Sequence, residues 1–558
     1  MSKTKSSLDL ARASYQPKLP GVLADGIKNF DLQLGDFTEA EHDGEQIKSI
    51  FPHIYGSPIV KVVKGKREVS NKTVNVGVVL SGGQAPGGHN VIAGLFDALK
   101  AASPENKLYG FLGGPSGVVD SKYVEITKEL VAEYRNTGGF DMIASGRTKL
   151  EKEDQFAQCH EGLKKLNVSA LVIVGGDDSN TNAALLAEYF ERNKYDIQVI
   201  GVPKTIDGDL KNKWVEASFG FDTCSKVYSE LIGNLQRDAN SARKYWHFIR
   251  LMGRSASHIA LECGLQTQPN VCLISEEVAE KRMSLHDVVD VILNVILQRS
   301  QAGKNFGIAL IPEGIIEFIP EMKRMIAALN DALVTHEQSF GELKSLAERI
   351  EFVMQELNEE DERVFAQLPM NIQEQLLEDR DPHGNVQVSK IETEKLLIQM
   401  VKKRLDHMKR TGDYKGKFSP VAHFFGYEGR CCQPSNFDAD YTYSLGYNAC
   451  ALILSGLTGY MSAISHTIQP AKEWQPGGIP LTMMMNIERR HGKDKPVIKK
   501  ALVELNERPF KTLDKNRPEW AANEAYLFPG PIQYWGPAEV CDAPTKTLQL
   551  EHSAVAVK

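Results

Sequence analysis

The sequence predicts an α/β protein of two Rossmann-like domains, each a mostly parallel sheet flanked by helices, with a helical insertion in the second. Three observations carry this expectation. Short β-branched apolar runs end in Gly-rich turns and give way to amphipathic stretches, the mark of strand-turn-helix units. The units repeat, and strands joined through helices lie parallel with both faces covered. The 558 residues also exceed what a single hydrophobic core organises.

Taken in order, 1–72 form an N-terminal extension whose opening stretch mixes Lys, Ser, Pro and Asp without the apolar centre of a signal peptide. A strand over 73–80 leads into Ser81-Gly82-Gly83-Gln84-Ala85-Pro86-Gly87-Gly88 and a helix over 90–99. The plan recurs at 170–174, which runs into Gly175-Gly176-Asp177-Asp178-Ser179 and a helix over 181–190, and again at 196–202, which ends at Pro203-Lys204-Thr205. Further strands are predicted at 245–251, 270–274 and 306–311. The first α/β domain is thus drawn at 73–245 and the second at 246–319 together with 414–470. Between the two parts of the second domain, 320–413 is rich in Glu, Lys, Gln and Leu with few strand formers, which predicts a helical insertion. Its charges read as solvated helix faces, with a partner-binding surface as the alternative. The sheet pattern resumes near 418, a long helix is predicted over 441–464, and 471–558 form a C-terminal segment.

Composition narrows the function. A net charge of −7 with no basic stripe excludes the electrostatic footprint of a nucleic-acid binder. No apolar run is long enough to cross a bilayer, so a cytoplasmic protein is expected. The 8 Cys are scattered, with Cys431 and Cys432 adjacent and no Cys-x-x-Cys spacing, which predicts reduced, mostly buried thiols.

The chemistry lies in the loops after the strands, where backbone N–H groups and helix N-termini meet anions. The glycines of 81–88 let a backbone approach a phosphate, although a purely structural turn would use the same residues, and the loop matches neither the Walker A nor the dinucleotide pattern. Asp177 and Asp178 at a helix start could hold a Mg²⁺, which takes one or two carboxylates with substrate phosphates, or could simply complement the helix dipole. Lys204-Thr205-Ile206-Asp207-Gly208-Asp209 sets a cation beside two carboxylates. Asp207 is a suitable type to accept a hydroxyl proton and Lys204 to offset charge on a transferred group, with a surface turn holding an internal ion pair as the alternative. Met252-Gly253-Arg254, Pro312-Glu313-Gly314 and Tyr427-Glu428-Gly429-Arg430 follow later strands and add groups suited to phosphate oxygens and sugar hydroxyls.

These loops, in this order over 74–430, resemble the phosphofructokinase family. The family's ATP-using members have Gly where this chain has Asp178 and Lys204, and that pair, with the length, extension and insertion, resembles the long pyrophosphate-dependent branch. The resemblance implies reversible transfer of a phosphoryl group from pyrophosphate to the C1 hydroxyl of fructose 6-phosphate, a step of glycolysis. It implies Asp207 as general base, with Lys204 and Asp178 shaping the donor site. Gly82, Arg147 and Lys204 would contact pyrophosphate and Asp177 would hold Mg²⁺. Thr205, Ile206, Asp207, Met252, Gly253, Arg254, Glu313, Tyr427, Glu428, Gly429 and Arg430 would line the sugar-phosphate site, completed by Lys244 and Tyr245 of a neighbouring subunit in a homodimer. The ATP enzymes have Arg and His where Tyr245 and Tyr427 align, so those two contacts rest on the pyrophosphate branch alone. An ATP-dependent phosphofructokinase and a non-catalytic regulatory subunit are the rival readings.

Overall fold

A computed structural model describes residues 6–66, 73–378, 386, 390–490 and 493–531; the expected N-terminal extension at 1–5 and 67–72 and the C-terminal segment at 532–558 lie outside the described residues. Among the described residues fifteen strands run in chain order: β1 Phe30–Phe37, β2 Pro58–Lys64, β3 Asn75–Leu80, β4 Leu108–Phe111, β5 Tyr123–Glu125, β6 Val168–Gly175, β7 Gln198–Pro203, β8 Trp246–Leu251, β9 Val271–Cys272, β10 Gly307–Pro312, β11 Pro420–Phe425, β12 Tyr460–Ser465, β13 Gln475–Pro480, β14 Met485–Arg490 and β15 Lys493–Ile498. They form a nine-stranded sheet in the order β1-β2-β13-β12-β7-β6-β3-β4-β5, a four-stranded sheet β11-β8-β10-β9 and the hairpin β14-β15.

The α/β expectation holds in both sheets. β3, β6 and β7 read as near-continuous Val, Ile and Leu because helices bury them on both faces, and they pair in parallel. The small sheet is parallel throughout. The large sheet is extended by antiparallel strands on both sides, among them β1 and β2 from the N-terminal extension. β2 can pair with β13 because Gly477 and Gly478 carry no side chain there: a Cβ on Gly477 would lie 2.3 Å from the Val60 carbonyl oxygen.

After β11 the chain leaves the small sheet. The helix Asn436–Leu454 packs on the helix Gly88–Ala102, and β12 pairs with β7 of the large sheet. The expected grouping of 414–470 with 246–319 therefore applies to β11 and not to 436–470. The physical cause is a pair of glycines that let the two helix backbones touch. A Cβ on Gly94 would meet the Tyr443 carbonyl oxygen at 2.0 Å, and one on Gly446 would meet that of Val91 at 2.0 Å. The helix predicted over 441–464 in fact ends at Leu454, where Gly456 and Gly459 adopt positive φ and turn the chain into β12.

The insertion is helical, with helices at Pro320–Thr335, Glu337–Gly341, Leu346–Glu356, Glu359–Gln367, Met370–Glu378 and Thr393–Thr411. Their apolar faces share one core with Trp246 and Phe248 of β8, so the insertion covers a face of the small sheet. No helix among the described residues is long and apolar enough to cross a membrane.

Candidate active site

Loops leaving β3, β6 and β7 of the large sheet meet loops leaving β8, β10 and β11 of the small one. The first loop after β3 is tied down by two backbone bonds, Ser81 N–H to the Val174 carbonyl at 2.8 Å and Gly82 N–H to that of Gly146 at 2.9 Å. Gly82 has φ +82°, and a Cβ on it would lie 3.2 Å from Lys204 Nζ, while a Cβ on Gly83 would run into the Arg430 guanidinium. Arg430 Nε donates to the Gln84 carbonyl at 3.2 Å, which joins the two sheets across the cleft. The missing side chains at Gly82 and Gly83 leave room for two cations, Lys204 and Arg430, against this loop. Arg147, one residue beyond Gly146, is exposed.

The helix Asp177–Arg192 starts directly at the end of β6, with Gly176 as its N-cap and no side-chain cap. Asn180 Nδ2 donates to the carbonyls of Gly175 at 2.7 Å and Gly176 at 2.9 Å, and Ser179 Oγ donates to Ser81 Oγ at 2.8 Å, so the loops after β3 and β6 are fixed to each other. Both acids sit in the first turn, but each also has a cation. Asp178 Oδ2 is 3.3 Å from Lys149 Nζ, and Asp177 Oδ2 is 3.6 Å from Lys500 Nζ. Among the described residues no three His, Cys, Asp or Glu side chains gather into a complete metal cage. Mg²⁺ needs none, because it usually keeps waters and binds one or two carboxylates with substrate phosphates. Asp177, partly exposed at a helix N-terminus, suits that mode.

Lys204 ends β7. Its N–H donates to the Gly175 carbonyl at 2.9 Å and the residue is buried, so the surface-turn reading of this lysine does not apply. Burial, then Arg430, lowers its pKa to about 8, with Arg147 acting in the same direction and Asp207 and Asp177 opposing. Asp207 is half-buried, and its N–H donates to Thr205 Oγ1 at 3.1 Å. Burial, then Glu313, pushes the Asp207 carboxyl above its ordinary range, against the pull of Lys500, Arg430 and Arg254. Asp209 is raised to about 6 by burial and by Asp207.

On the other side of the cleft, Met252 N–H donates to the Phe425 carbonyl at 3.0 Å and Glu313 N–H to that of Leu251 at 2.9 Å, which aligns the loops after β8, β10 and β11. Gly253 N–H donates to buried Glu313 Oε2 at 3.0 Å. Gly314 is required by close approach, since a Cβ there would lie 1.9 Å from the Arg254 carbonyl oxygen. Arg254 itself is exposed to the cleft. Tyr228 hydroxyl donates to the Gly426 carbonyl at 2.5 Å and packs under Gly429, while Tyr427 is 65% exposed with its ring 5.8 Å from the Arg430 guanidinium. Glu428 is exposed, and Ile206 is buried.

Two facing sets of strand ends, one rimmed by a glycine loop and acids and the other by arginines and a buried glutamate, invite comparison with known proteins. The family model Phosphofructokinase matches residues 75–453. The chain belongs to the phosphofructokinase family. This phosphofructokinase-family chain is 57% identical over 547 residues to a Porphyromonas gingivalis protein named pyrophosphate–fructose 6-phosphate 1-phosphotransferase, spanning 98% of this chain and 99% of that one. It is 53% identical over 560 residues to a protein of the same name from Treponema pallidum, with 99% and 98% covered. A crystal structure of a pyrophosphate-dependent phosphofructokinase from Marinobacter aquaeolei aligns with TM-score 0.53 at 16% identity over 81% of this chain and 93% of that one, a likeness of fold.

Within this phosphofructokinase fold, Gly82, Arg147, Lys204, Thr205, Ile206, Asp207, Met252, Gly253, Arg254 and Glu313 lie on loops at the cleft, and Asp177, Asp178 and the stretch 427–430 lie in the first turns of the helices Asp177–Arg192 and Tyr427–Cys431. Lys244 and Tyr245 do not join them. They precede β8, whereas Met252 to Arg254 follow it, and a six-residue strand spans about 20 Å. Three further residues escaped the sequence reading. Arg250, at the end of β8, is buried with Nε 2.8 Å from Glu394 Oε2 and Nη1 donating to the Ile391 carbonyl at 2.9 Å, so the insertion braces the loop that carries Arg254. Glu394 opens a charge-rich helix whose acids read as solvated. Lys500 belongs to a segment with no strand-end glycine loop to mark it, and only tertiary structure brings it to Asp177.

Proposed function

We propose that the protein transfers a phosphoryl group reversibly from pyrophosphate to the C1 hydroxyl of D-fructose 6-phosphate, giving fructose 1,6-bisphosphate and phosphate. Full-length relatives at 53% and 57% identity bear the name of that reaction. The observation in this chain that carries the reading is Lys204, a buried ammonium beside Gly82 with Asp207 on the same loop. A cation is stable there only if the site is built for anions, and the two cations nearest it in effect, Arg430 and Arg147, add to the positive field.

In the forward direction Asp207 takes the proton of the C1 hydroxyl as its oxygen bonds to the terminal phosphorus of pyrophosphate. The bridging P–O bond breaks, its electron pair leaves with phosphate, and Lys204 offsets the charge that builds on the transferred and leaving groups. The raised pKa of Asp207 makes it a stronger base than an exposed aspartate. Gly82 and Arg147 hold the pyrophosphate. Asp177 would hold Mg²⁺, which when bound neutralises phosphate oxygens and orients the donor. Thr205, Met252, Gly253, Arg254, Glu313 and the 427–430 turn orient the sugar phosphate, with Glu313 fixed by Gly253 N–H and suited to a sugar hydroxyl.

Donor choice follows from Asp178. Its carboxylate, 3.3 Å from Lys149, sets negative charge at the start of the phosphate-facing helix, where the α-phosphate of a nucleotide would meet repulsion. A homodimer completes the sugar site, with Lys244 and Tyr245 supplied by the neighbouring copy. Exposed Lys244, its ammonium 4.8 Å from the Tyr245 ring, stands beside β11, the outer strand of the small sheet. Five buried free cysteines, Cys159, Cys224, Cys263, Cys272 and Cys450, suit a reducing cytoplasm.

Phosphorus-31 NMR on the purified protein with Mg²⁺, pyrophosphate and fructose 6-phosphate tests the reaction. One phosphate must appear for each fructose 1,6-bisphosphate, and added phosphate must drive the reverse. Pyrophosphate hydrolysis without a sugar bisphosphate would refute the proposal.

A further inference from the structure

The C-terminal segment after β15 crosses from the large sheet to the small one directly over the cleft. Lys499 N–H donates to the Met484 carbonyl at 3.0 Å on the large-sheet side. Ala501 N–H then donates to the Asp209 carbonyl at 2.7 Å, and the Ala501 carbonyl accepts from His258 Nε2 at 2.9 Å. Val503 N–H donates to Glu276 Oε1 at 3.0 Å on the small-sheet side, and the helix Arg508–Ala522 docks on the helix His258–Thr267 beyond it. Lys500 is the one residue of this strap pinned on both sides while its own side chain enters the cleft. Its Nζ donates to Ser255 Oγ at 2.7 Å and lies 3.6 Å from Asp177 Oδ2.

Those two contacts belong to opposite substrates. Asp177 follows β6, on the side of the pyrophosphate loop, and Ser255 follows Arg254, on the side of the sugar phosphate. An ammonium touching both stands on the boundary that the phosphoryl group crosses. Burial raises the carboxyls of Asp207, Asp209 and Glu317 above their ordinary range, and the charge of Lys500 opposes that rise in all three. With the chain tied on either side at 499 and 501 and its ammonium set between Ser255 and Asp177, Lys500 holds its charge in place before reaction, the requirement for a group that acts on transition-state charge.

Resting on the phosphoryl-transfer reading above, we infer that Lys500 binds the transferred phosphoryl group, as a second ammonium opposite Lys204, and that the strap of 499–503 delivers it. Lys204 approaches from the loop after β7 and Lys500 from the strap, so the group would pass between two cations anchored on different parts of the fold. Charge that builds on its oxygens during transfer is the charge such a pair stabilises.

The test is steady-state kinetics in both directions on full-length Lys500→Met and Lys500→Arg, alongside the parent protein. Lys500→Met should lower kcat by about 10²–10³-fold forward and reverse, the usual loss of one such donor, with KM for fructose 6-phosphate within about 3-fold of the parent. Lys500→Arg should recover part of kcat, and the melting temperature of both variants should stay near the parent's. An unchanged kcat in Lys500→Met overturns the inference. So does a loss accompanied by a lowered melting temperature, raised KM for both substrates and no recovery with arginine, because that pattern marks a lysine that only neutralises its carboxylate neighbours. A parent protein that fails to turn over pyrophosphate would overturn the underlying reading and the role of Lys500 with it. An active parent with an unimpaired variant would remove Lys500 alone.

Discussion

Replacing Lys204 with methionine should stabilise the protein while disabling it, and the gain should depend on pH. Burial and the neighbouring guanidinium of Arg430 lower the lysine from its ordinary 10.5 to about 8, a difference worth about 3 kcal/mol at 1.36 kcal/mol per pH unit. Below pH 8 the amine is charged in both the folded and the unfolded chain, and the fold carries the full cost of the buried ammonium. Between pH 8 and 10.5 only the unfolded chain keeps the proton, so the parent gains stability as pH rises through this window. Lys204→Met has no proton to lose. Its advantage over the parent should therefore be up to about 3 kcal/mol at pH 7 and should shrink toward zero by pH 10. Denaturant unfolding of both proteins at pH 7, 8.5 and 10 measures this, with kcat in the variant down by about 10²–10³-fold. The same proton should govern activity. In the parent, kcat/KM for pyrophosphate falls above pH 8, whereas Lys204→Arg stays charged and loses that alkaline limb. A stability difference that does not vary with pH, or an alkaline limb that survives in Lys204→Arg, would refute the reasoning.

Two other substitutions separate the neighbouring roles. Asp207→Asn should abolish most turnover yet leave fructose 6-phosphate binding, measured by calorimetry, within a few-fold of the parent, because only the proton acceptor is lost; normal turnover in that variant sinks the base assignment. Asp178→Gly should admit measurable turnover with ATP and leave Lys149 without its carboxylate at 3.3 Å; continued strict rejection of ATP would place donor choice elsewhere.

Much of the cleft was legible because its residues follow strand ends, where Gly, Asp, Lys and Arg interrupt apolar runs. Gly175-Gly176-Asp177 and Lys204-Thr205-Ile206-Asp207 stand out against the Val-rich strands before them, and β6 and β7 end where those strings begin. What stayed hidden depends on contacts between segments distant in the chain. Lys500 meets Ser255 across 245 positions, and Arg250 meets the insertion's Glu394. Neither carries a local pattern, since Lys499-Lys500 and Glu392 to Lys395 look like ordinary surface charge. The placement of 436–470 failed for a related reason. The segment's period and composition suit either sheet, and the deciding feature is Gly446 seated on Val91, a close approach that sequence spacing does not reveal.

The central claim is that this cleft takes pyrophosphate, and donor choice by the purified protein tests it most directly. With saturating fructose 6-phosphate and Mg²⁺, production of fructose 1,6-bisphosphate is followed through a coupled aldolase assay with pyrophosphate or ATP as the sole donor. Rapid turnover with pyrophosphate and none above background with ATP is the predicted result. Turnover with ATP alone would contradict the account, because Asp178 and Lys204 would then not set the donor.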